Sequence, residues 1–229
     1  MCRRGEEGGE SLFTGLIQDI GIVQTVERSM GGMRVTIATR LDLSGIRDGD
    51  SVAVDGACLT VIKKTAGSFS VEVSAETLER TTLDRVQSGQ AVNLEESLRL
   101  SDPLGGHLVS GHVDGTGQIL RILPEGNATR YRFGFPEPMG RYLIEKGSVA
   151  VDGISLTIAD LDDQSFHAVV LPHTARSTTL GRKRVGDRVN LENDLIAKYV
   201  EKFVRFRGDL PPAKKTIDPA FLAEHGFMK

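Results

Sequence analysis

The stretch Ser51-Val52-Ala53-Val54-Asp55-Gly56 returns unchanged at Ser148-Val149-Ala150-Val151-Asp152-Gly153, 97 residues later. From that hexapeptide the two copies run on in step. Residues 51–95 align with 148–192 without a gap, and 21 of the 45 aligned positions are identical. Leu59 and Thr60 match Leu156 and Thr157, Phe69 matches Phe166, and Thr77 matches Thr174. The match closes on Val-Asn-Leu-Glu at 92–95 and 189–192. Upstream it thins and shifts by one residue, with Phe13-Thr14-Gly15 against Val109-Ser110-Gly111 and Gly21 against Gly117. A period this long exceeds any solenoid repeat and has the length of a small domain. The chain is a tandem duplication.

Each copy is predicted to be all-β. The runs GIVQTV, MRVTIAT, SVAVDG, CLTVIKK, FSVEVS and AVNLE are short, rich in Val, Ile and Thr, and often alternate apolar with polar. Gly- and Asp-containing turns separate them. The second copy repeats the scheme. Six short strands per copy suit a closed Greek-key barrel, which leaves no exposed edge. The segments AETLERTTL and MGRYLIEKG supply short helices between strands. The expected organisation is a flexible extension at 1–11, barrels at 12–107 and 108–192, a helix at 193–207 and a tail at 208–229.

That helix is read from Ile196, Tyr199, Phe203 and Phe206, whose spacing puts them on one stripe. Asn193 or Asp194 caps its start and Gly208 ends it. The stripe needs a partner, either its own barrel or copies of itself. Pro211 and Pro212 stop the chain from continuing helical. Asp218 and Pro219 then read as the start of a last helical turn around Phe221 and Leu222.

Composition excludes several classes. A net charge of -3, no Trp and few aromatics offer neither a basic face nor stacking platforms for nucleic acid. No apolar run reaches the roughly 18 residues of a membrane span. Two cysteines, Cys2 and Cys58, make neither a disulfide framework nor a zinc site, which fits a reducing cytoplasm. The N-terminus lacks the apolar stretch of a secretory signal.

Familiar catalytic signatures are absent from the sequence. His107 and His112, five apart in the segment joining the copies, would fall on opposite faces of a strand and so not share a metal. Each has a plain reading as a structural histidine. Ser51, Thr60 and Thr77 recur as Ser148, Thr157 and Thr174. Such hydroxyls are ordinary on strands, but a matched set also suits a polyhydroxylated ligand.

Five blocks, FTGLIQDIG, VDGACLTV, GGHLVSGHVDG, VDGISLTI and NLENDLIAKYVE, together closely resemble the riboflavin synthases of the alpha-chain type. The resemblance runs from Leu12 to Phe206, in order and at family spacing. It implies one 6,7-dimethyl-8-ribityllumazine per barrel and two per active site. It implies a homotrimer held by the C-terminal helix, with the active site between the N-barrel of one subunit and the C-barrel of the next. It implies no metal or redox cofactor, and makes lumazine synthase a candidate partner. Two related readings are a non-catalytic lumazine-binding antenna, in which the second copy tends to lose its ligand residues, and a flavin oxidoreductase domain, which would need a nicotinamide-binding domain after it.

Site residues follow from the same resemblance. The N-barrel surface is expected to use Gly15, Leu16 and Ile17, then Cys58, Leu59 and Thr60, then Glu72, Val73, Ser74, Ala75, Glu76 and Thr77. The C-barrel surface is expected to use Gly111, His112 and Val113, then Ser155, Leu156 and Thr157, then Leu171, Pro172, His173, Thr174, Ala175 and Arg176. Lys146 is expected to reach the ligand in a neighbour's N-barrel. Phe13, Ser51, Cys58 and His112 are expected nearest the reacting carbons, with His112 relaying protons and Ser51 or Cys58 assisting addition or placing water. The chain departs from the family twice. Leu12 stands where the family begins with Met, so residues 1–11 read as an upstream extension and Leu12 as a non-ATG start. The second copy reads PHTARSTTL where PETLERTTL is usual, which keeps Thr174 and changes its neighbours.

Overall fold

A computed structural model describes residues 11–208 and 219–227. The expectations for 1–10, for Pro211 and Pro212, and for Asp218 lie outside those residues.

The first copy forms β1 (Asp19–Ser29), β2 (Gly32–Ala38), β3 (Ser51–Val54), β4 (Ala57–Lys64), β5 (Ser68–Ser74) and β6 (Ala91–Glu96). They close in the order β1-β2-β5-β4-β3-β6, all pairs antiparallel. The second copy forms β7 (Gly115–Glu125), β8 (Ala128–Gly134), β9 (Ser148–Val151), β10 (Ile154–Leu161), β11 (Ser165–Val170) and β12 (Arg188–Asn193), and closes with the equivalent order. The six expected strands of each copy are all present. Alternation directs this: in β2 and β5 every second residue is buried, and in β4 Ala57, Leu59 and Val61 are. Val35, Ile37, Val61, Phe69 and Val71 fill one barrel; Ile119, Phe133, Ile158, Phe166 and Leu191 fill the other.

Short helices follow β5 and β11: α1 (Ala75–Arg80) and α2 (Pro172–Ser177). Ser74 caps α1, its Oγ accepting from the Thr77 amide at 3.1 Å. Leu171 gives α2 no such cap, and Pro172 opens it instead. The expected helix in MGRYLIEKG is a 3-10 turn at Glu137–Tyr142.

The repeated hexapeptide lies where the barrels meet. Asp55 and Asp152 both adopt left-handed backbone, with φ of 45° and 46°. The glycine after each turns back to back with its counterpart; a Cβ on Gly56 would sit 2.6 Å from the Gly153 amide nitrogen. Asparagines from the repeated Val-Asn-Leu-Glu tie the turns together. Asn93 donates to the Asp152 carbonyl at 2.9 Å, and Asn190 donates to the Asp55 carbonyl at 2.7 Å. The Thr179 and Thr82 amides donate to the same two side chains, each at 2.7 Å. Lys183 approaches the buried Asp152 carboxylate at 2.8 Å.

After β12 comes α3 (Leu195–Gly208), ending at the expected glycine. Asp194 starts it, its Oδ1 accepting from the Ile196 amide at 2.8 Å. Ile196, Tyr199, Val200, Phe203, Val204 and Phe206 are all exposed. The stripe therefore does not pack on its own barrel. A last helix, α4 (Pro219–Glu224), opens at the expected proline. No helix among the described residues is long and apolar enough to cross a membrane.

Candidate functional site

The segments before the two barrels run antiparallel beside each other and then part. Phe13 and Val109 form an isolated bridge, with N–H···O distances of 2.8 and 3.1 Å. Phe13 is wholly buried there, packed with Val109, Ala53 and Ala150 from both barrels. It is a seam residue, and its ring edge lies beside Gly111, next to Cys58. The apolar ring lands between the barrels because the bridge turns it inward.

Beyond the bridge each segment crosses to the other barrel. The Gly15 carbonyl accepts from the Ser155 amide at 2.8 Å, and the Gly111 carbonyl accepts from the Cys58 amide at 2.9 Å. Ile17 packs on the core of the second barrel, and Val113 belongs to the core of the first. The expected grouping is thus exchanged. Gly15, Leu16 and Ile17 join Ser155, Leu156 and Thr157; Gly111, His112 and Val113 join Cys58, Leu59 and Thr60. Both crossings need glycine. Gly15 and Gly111 have φ of 76° and 77°, and a Cβ would lie 2.6 Å from that of Ser155 and 2.5 Å from that of Cys58.

On the first barrel these residues border a cavity of about 380 Å³ lined by Cys58, Glu76, Thr77, Gly111, His112 and Val113. Further along β4 and β5 a cleft of about 750 Å³ is lined by Thr60, Glu72, Val73 and Ser74. The structure so sets Cys58, Thr60 and the residues from Glu72 to Thr77 along this surface, Ala75 standing between Ser74 and Glu76 at the start of α1. Leu59 and Val73 turn their side chains into the barrel and offer backbone only. His112 is exposed, and its amide donates to the Ser110 hydroxyl at 3.3 Å. Burial pushes the Cys58 thiol up, against hydrogen bonds from Ser51 and Ser11. It is a neutral thiol near pH 7 and not a preformed thiolate nucleophile.

The second surface has the same parts. Thr157 is exposed on β10, Ser155 half-buried beside it, and Leu156 points inward. Alongside, α2 presents exposed Pro172, His173 and Arg176 after exposed Leu171, with Thr174 and Ala175 half-buried. Lys146 is exposed at the turn before β9 in left-handed backbone, φ 64°, its Nζ donating to the Ala159 carbonyl at 3.2 Å.

Sequence reading missed five contributors. His107 is buried, and its Nδ1 lies 2.7 Å from the Ser155 Oγ. Its Nε2 is buried without a hydrogen-bond partner among the described residues, so the fully satisfied structural histidine is only half right. Burial lowers its pKa, which favours the neutral ring. Neither His107 nor His112 lies in a strand, so the opposite-face argument does not apply. Ser11, two residues before Phe13 as His107 is two before Val109, is the counterpart of His107 and touches the counterpart of Ser155. No motif announces this pair. Lys198, from α3, lines the first cavity and pairs with Asp114 at 2.7 Å. The other two are Glu95 and Glu192, the last residues of the repeated Val-Asn-Leu-Glu. Their identical placement in both copies was the available signal.

The lumazine-binding domain family matches this chain twice, at residues 14–97 and 110–194. The chain is 42% identical over 217 residues to the riboflavin synthase of Actinobacillus pleuropneumoniae, covering 94% of this chain and 100% of that one. It is 38% identical over 216 residues to that of Bacillus subtilis, again with full coverage of the relative. Among solved structures it resembles LumP complexed with riboflavin, with a TM-score of 0.74 at 22% identity, covering 79% of this chain and 98% of that one. LumP complexed with 6,7-dimethyl-8-(1'-D-ribityl) lumazine gives a TM-score of 0.72. At that identity the likeness to LumP shows the fold.

Proposed function

This chain belongs to the riboflavin synthase family, and from that premise we propose that it converts two molecules of 6,7-dimethyl-8-ribityllumazine into one riboflavin and one 5-amino-6-(D-ribitylamino)uracil. A four-carbon unit passes from one lumazine to the other. The observation that carries this reading is that the two surfaces are built alike. Each has a strand of polar residues, a short helix beside it, and a glycine segment crossing from the other copy.

A dismutation needs two like substrates in unlike roles. The duplication supplies two like surfaces, and the side chains differ where each segment crosses. The first surface carries Cys58 with Ser51, Ser11 and His112; the second carries Ser155 with His107 and Leu16. The lumazine 7-methyl group is acidic because its carbanion delocalises into the ring. The protein's tasks are then orientation and proton transfer. Holding two reactants face to face is worth roughly 7–11 kcal/mol of barrier. Exposed His112 is placed to relay protons, contributing about 10²–10⁴-fold. Cys58 lines the same cavity, Ser51 bonds to Cys58, and either can place water.

The exposed stripe of α3 supports a homotrimer, in which the first surface of one subunit faces the second surface of a neighbour and Lys146 reaches across. The same reading makes this a cytoplasmic enzyme, in keeping with its two cysteines, with lumazine synthase as a candidate partner.

The test is an assay with purified protein and 6,7-dimethyl-8-ribityllumazine, following riboflavin fluorescence without added cofactor. Riboflavin at one per two lumazines consumed supports the enzyme. Tight binding without conversion would instead indicate an antenna protein.

A further inference from the structure

Each carboxylate of the repeated Val-Asn-Leu-Glu gathers three donors from one crossing segment. Glu192, on β12, accepts from the Ser110 amide and hydroxyl, both at 2.7 Å, through Oε1, and from the Gly111 amide at 3.0 Å through Oε2. Glu95, on β6, accepts from the Thr14 amide at 2.6 Å, the Thr14 hydroxyl at 2.7 Å and the Gly15 amide at 3.0 Å. Both side chains are buried, at 2% and 3% exposure. A buried carboxylate is held where its donors match it, and here they come from one short turn.

The turn so held is the one that reaches the opposite barrel. Gly111 passes its carbonyl to Cys58 and is followed by His112 and Val113 on the first surface. Gly15 passes its carbonyl to Ser155 and is followed by Leu16 and Ile17 on the second. We propose that Glu192 and Glu95 are positioning residues acting across the seam: Glu192, in the closing strand of the second barrel, sets the first ligand surface, and Glu95, in the closing strand of the first, sets the second. Neither touches substrate. Each barrel's site is thereby built by the other barrel, so neither copy alone holds a complete one. The inference rests on the lumazine-binding reading of these surfaces.

Glutamine in place of either glutamate keeps an acceptor but turns an NH2 group toward one of three donors, leaving that donor unmatched. Cys58 reports on the first surface alone. In a Cys2→Ser background it is the remaining thiol, and a ligand on the first surface shields it from alkylation. The experiment measures shielding by riboflavin, together with total riboflavin bound, for wild type, Glu192→Gln and Glu95→Gln. Glu192→Gln is expected to need about tenfold more riboflavin to shield Cys58 while the second class of site keeps its affinity. Glu95→Gln is expected to leave shielding intact and weaken the other class. Should Glu192→Gln fail to fold, Ser110→Ala removes one donor and is expected to shift shielding in the same direction by less. Equal effects on both surfaces, or none, would overturn the crossed assignment. Wild type that binds no riboflavin would overturn the lumazine-binding reading itself, a separable result.

Discussion

Gly56 and Gly153, the last residues of the two identical hexapeptides, meet backbone to backbone across the barrel seam, each in left-handed conformation with φ of 81° and 77°. The repeat is therefore the contact surface of the two copies as well as a record of duplication. Side chains are excluded there because each glycine occupies the space a Cβ of the other would need.

Gly56→Ala is expected to destabilise the chain by about 3 kcal/mol or more, since left-handed strain of roughly 1–2 kcal/mol adds to a clash with backbone that cannot rotate away. Gly89→Ala has a similar φ, 86°, and open space around it, so it isolates the strain. Urea denaturation of both variants checks this, and equal losses would show that the contact contributes nothing.

The seam should also titrate. Burial, and then the neighbouring Asp152, push the Asp55 carboxyl from 3.8 up to about 7, against Lys183 and the Asn93 amide. Between those values the folded chain keeps a proton that the unfolded chain has released. The contribution of Asp55 to stability is full below about pH 4 and is lost as pH rises through about 7. Asp55→Asn tolerates the left-handed backbone and still accepts from the Asn93 amide. Its melting temperature relative to wild type is expected to climb between roughly pH 4 and pH 8. Parallel curves would mean that Asp55 does not titrate there.

The two surfaces differ at Cys58 and Ser155, each bonded through its amide to the opposite crossing segment. If that pair assigns the donor and acceptor roles, exchanging them in Cys58→Ser/Ser155→Cys lowers kcat while both lumazines still bind. Normal turnover in the exchanged enzyme would remove these positions from the assignment. His112→Ala is expected to slow turnover about 10²-fold or more, with binding little changed.

Tyr199 and Phe203 are 55% and 69% exposed on α3. If the stripe holds the proposed trimer, Phe203→Glu dissociates it into folded monomers and abolishes riboflavin formation, because in that arrangement the facing surfaces come from different subunits. Light scattering and far-ultraviolet circular dichroism on the same sample decide it. A trimer that survives the charge would place the subunit contact elsewhere.

Ser51 to Glu95 shows how much was legible in sequence. Its strands alternate buried and exposed residues, turn residues punctuate them, and the second copy repeats the register, so two barrels of six strands could be read directly. The helix stripe at Ile196, Tyr199, Phe203 and Phe206 was equally plain, since 3.6-residue periodicity is local. The family resemblance named Cys58, Thr60 and Thr77 on one copy and Ser155, Thr157 and Thr174 on the other, at equivalent positions of the two barrels.

What only the tertiary structure decided was which side of the seam each short segment reaches. Gly15 to Ile17 and Gly111 to Val113 carry no periodicity that names a barrel. Their destination is set by the Phe13–Val109 bridge, by the room beside Ser155 and Cys58 that only glycine fits, and by two buried carboxylates some 80 residues away in the chain. The same packing buried Phe13, set His107 against Ser155 and left the α3 stripe uncovered. Alternation along a strand is a property of neighbours in sequence, and sequence determined it. Crossing between barrels is a property of neighbours in space, and only the closed seam could settle it.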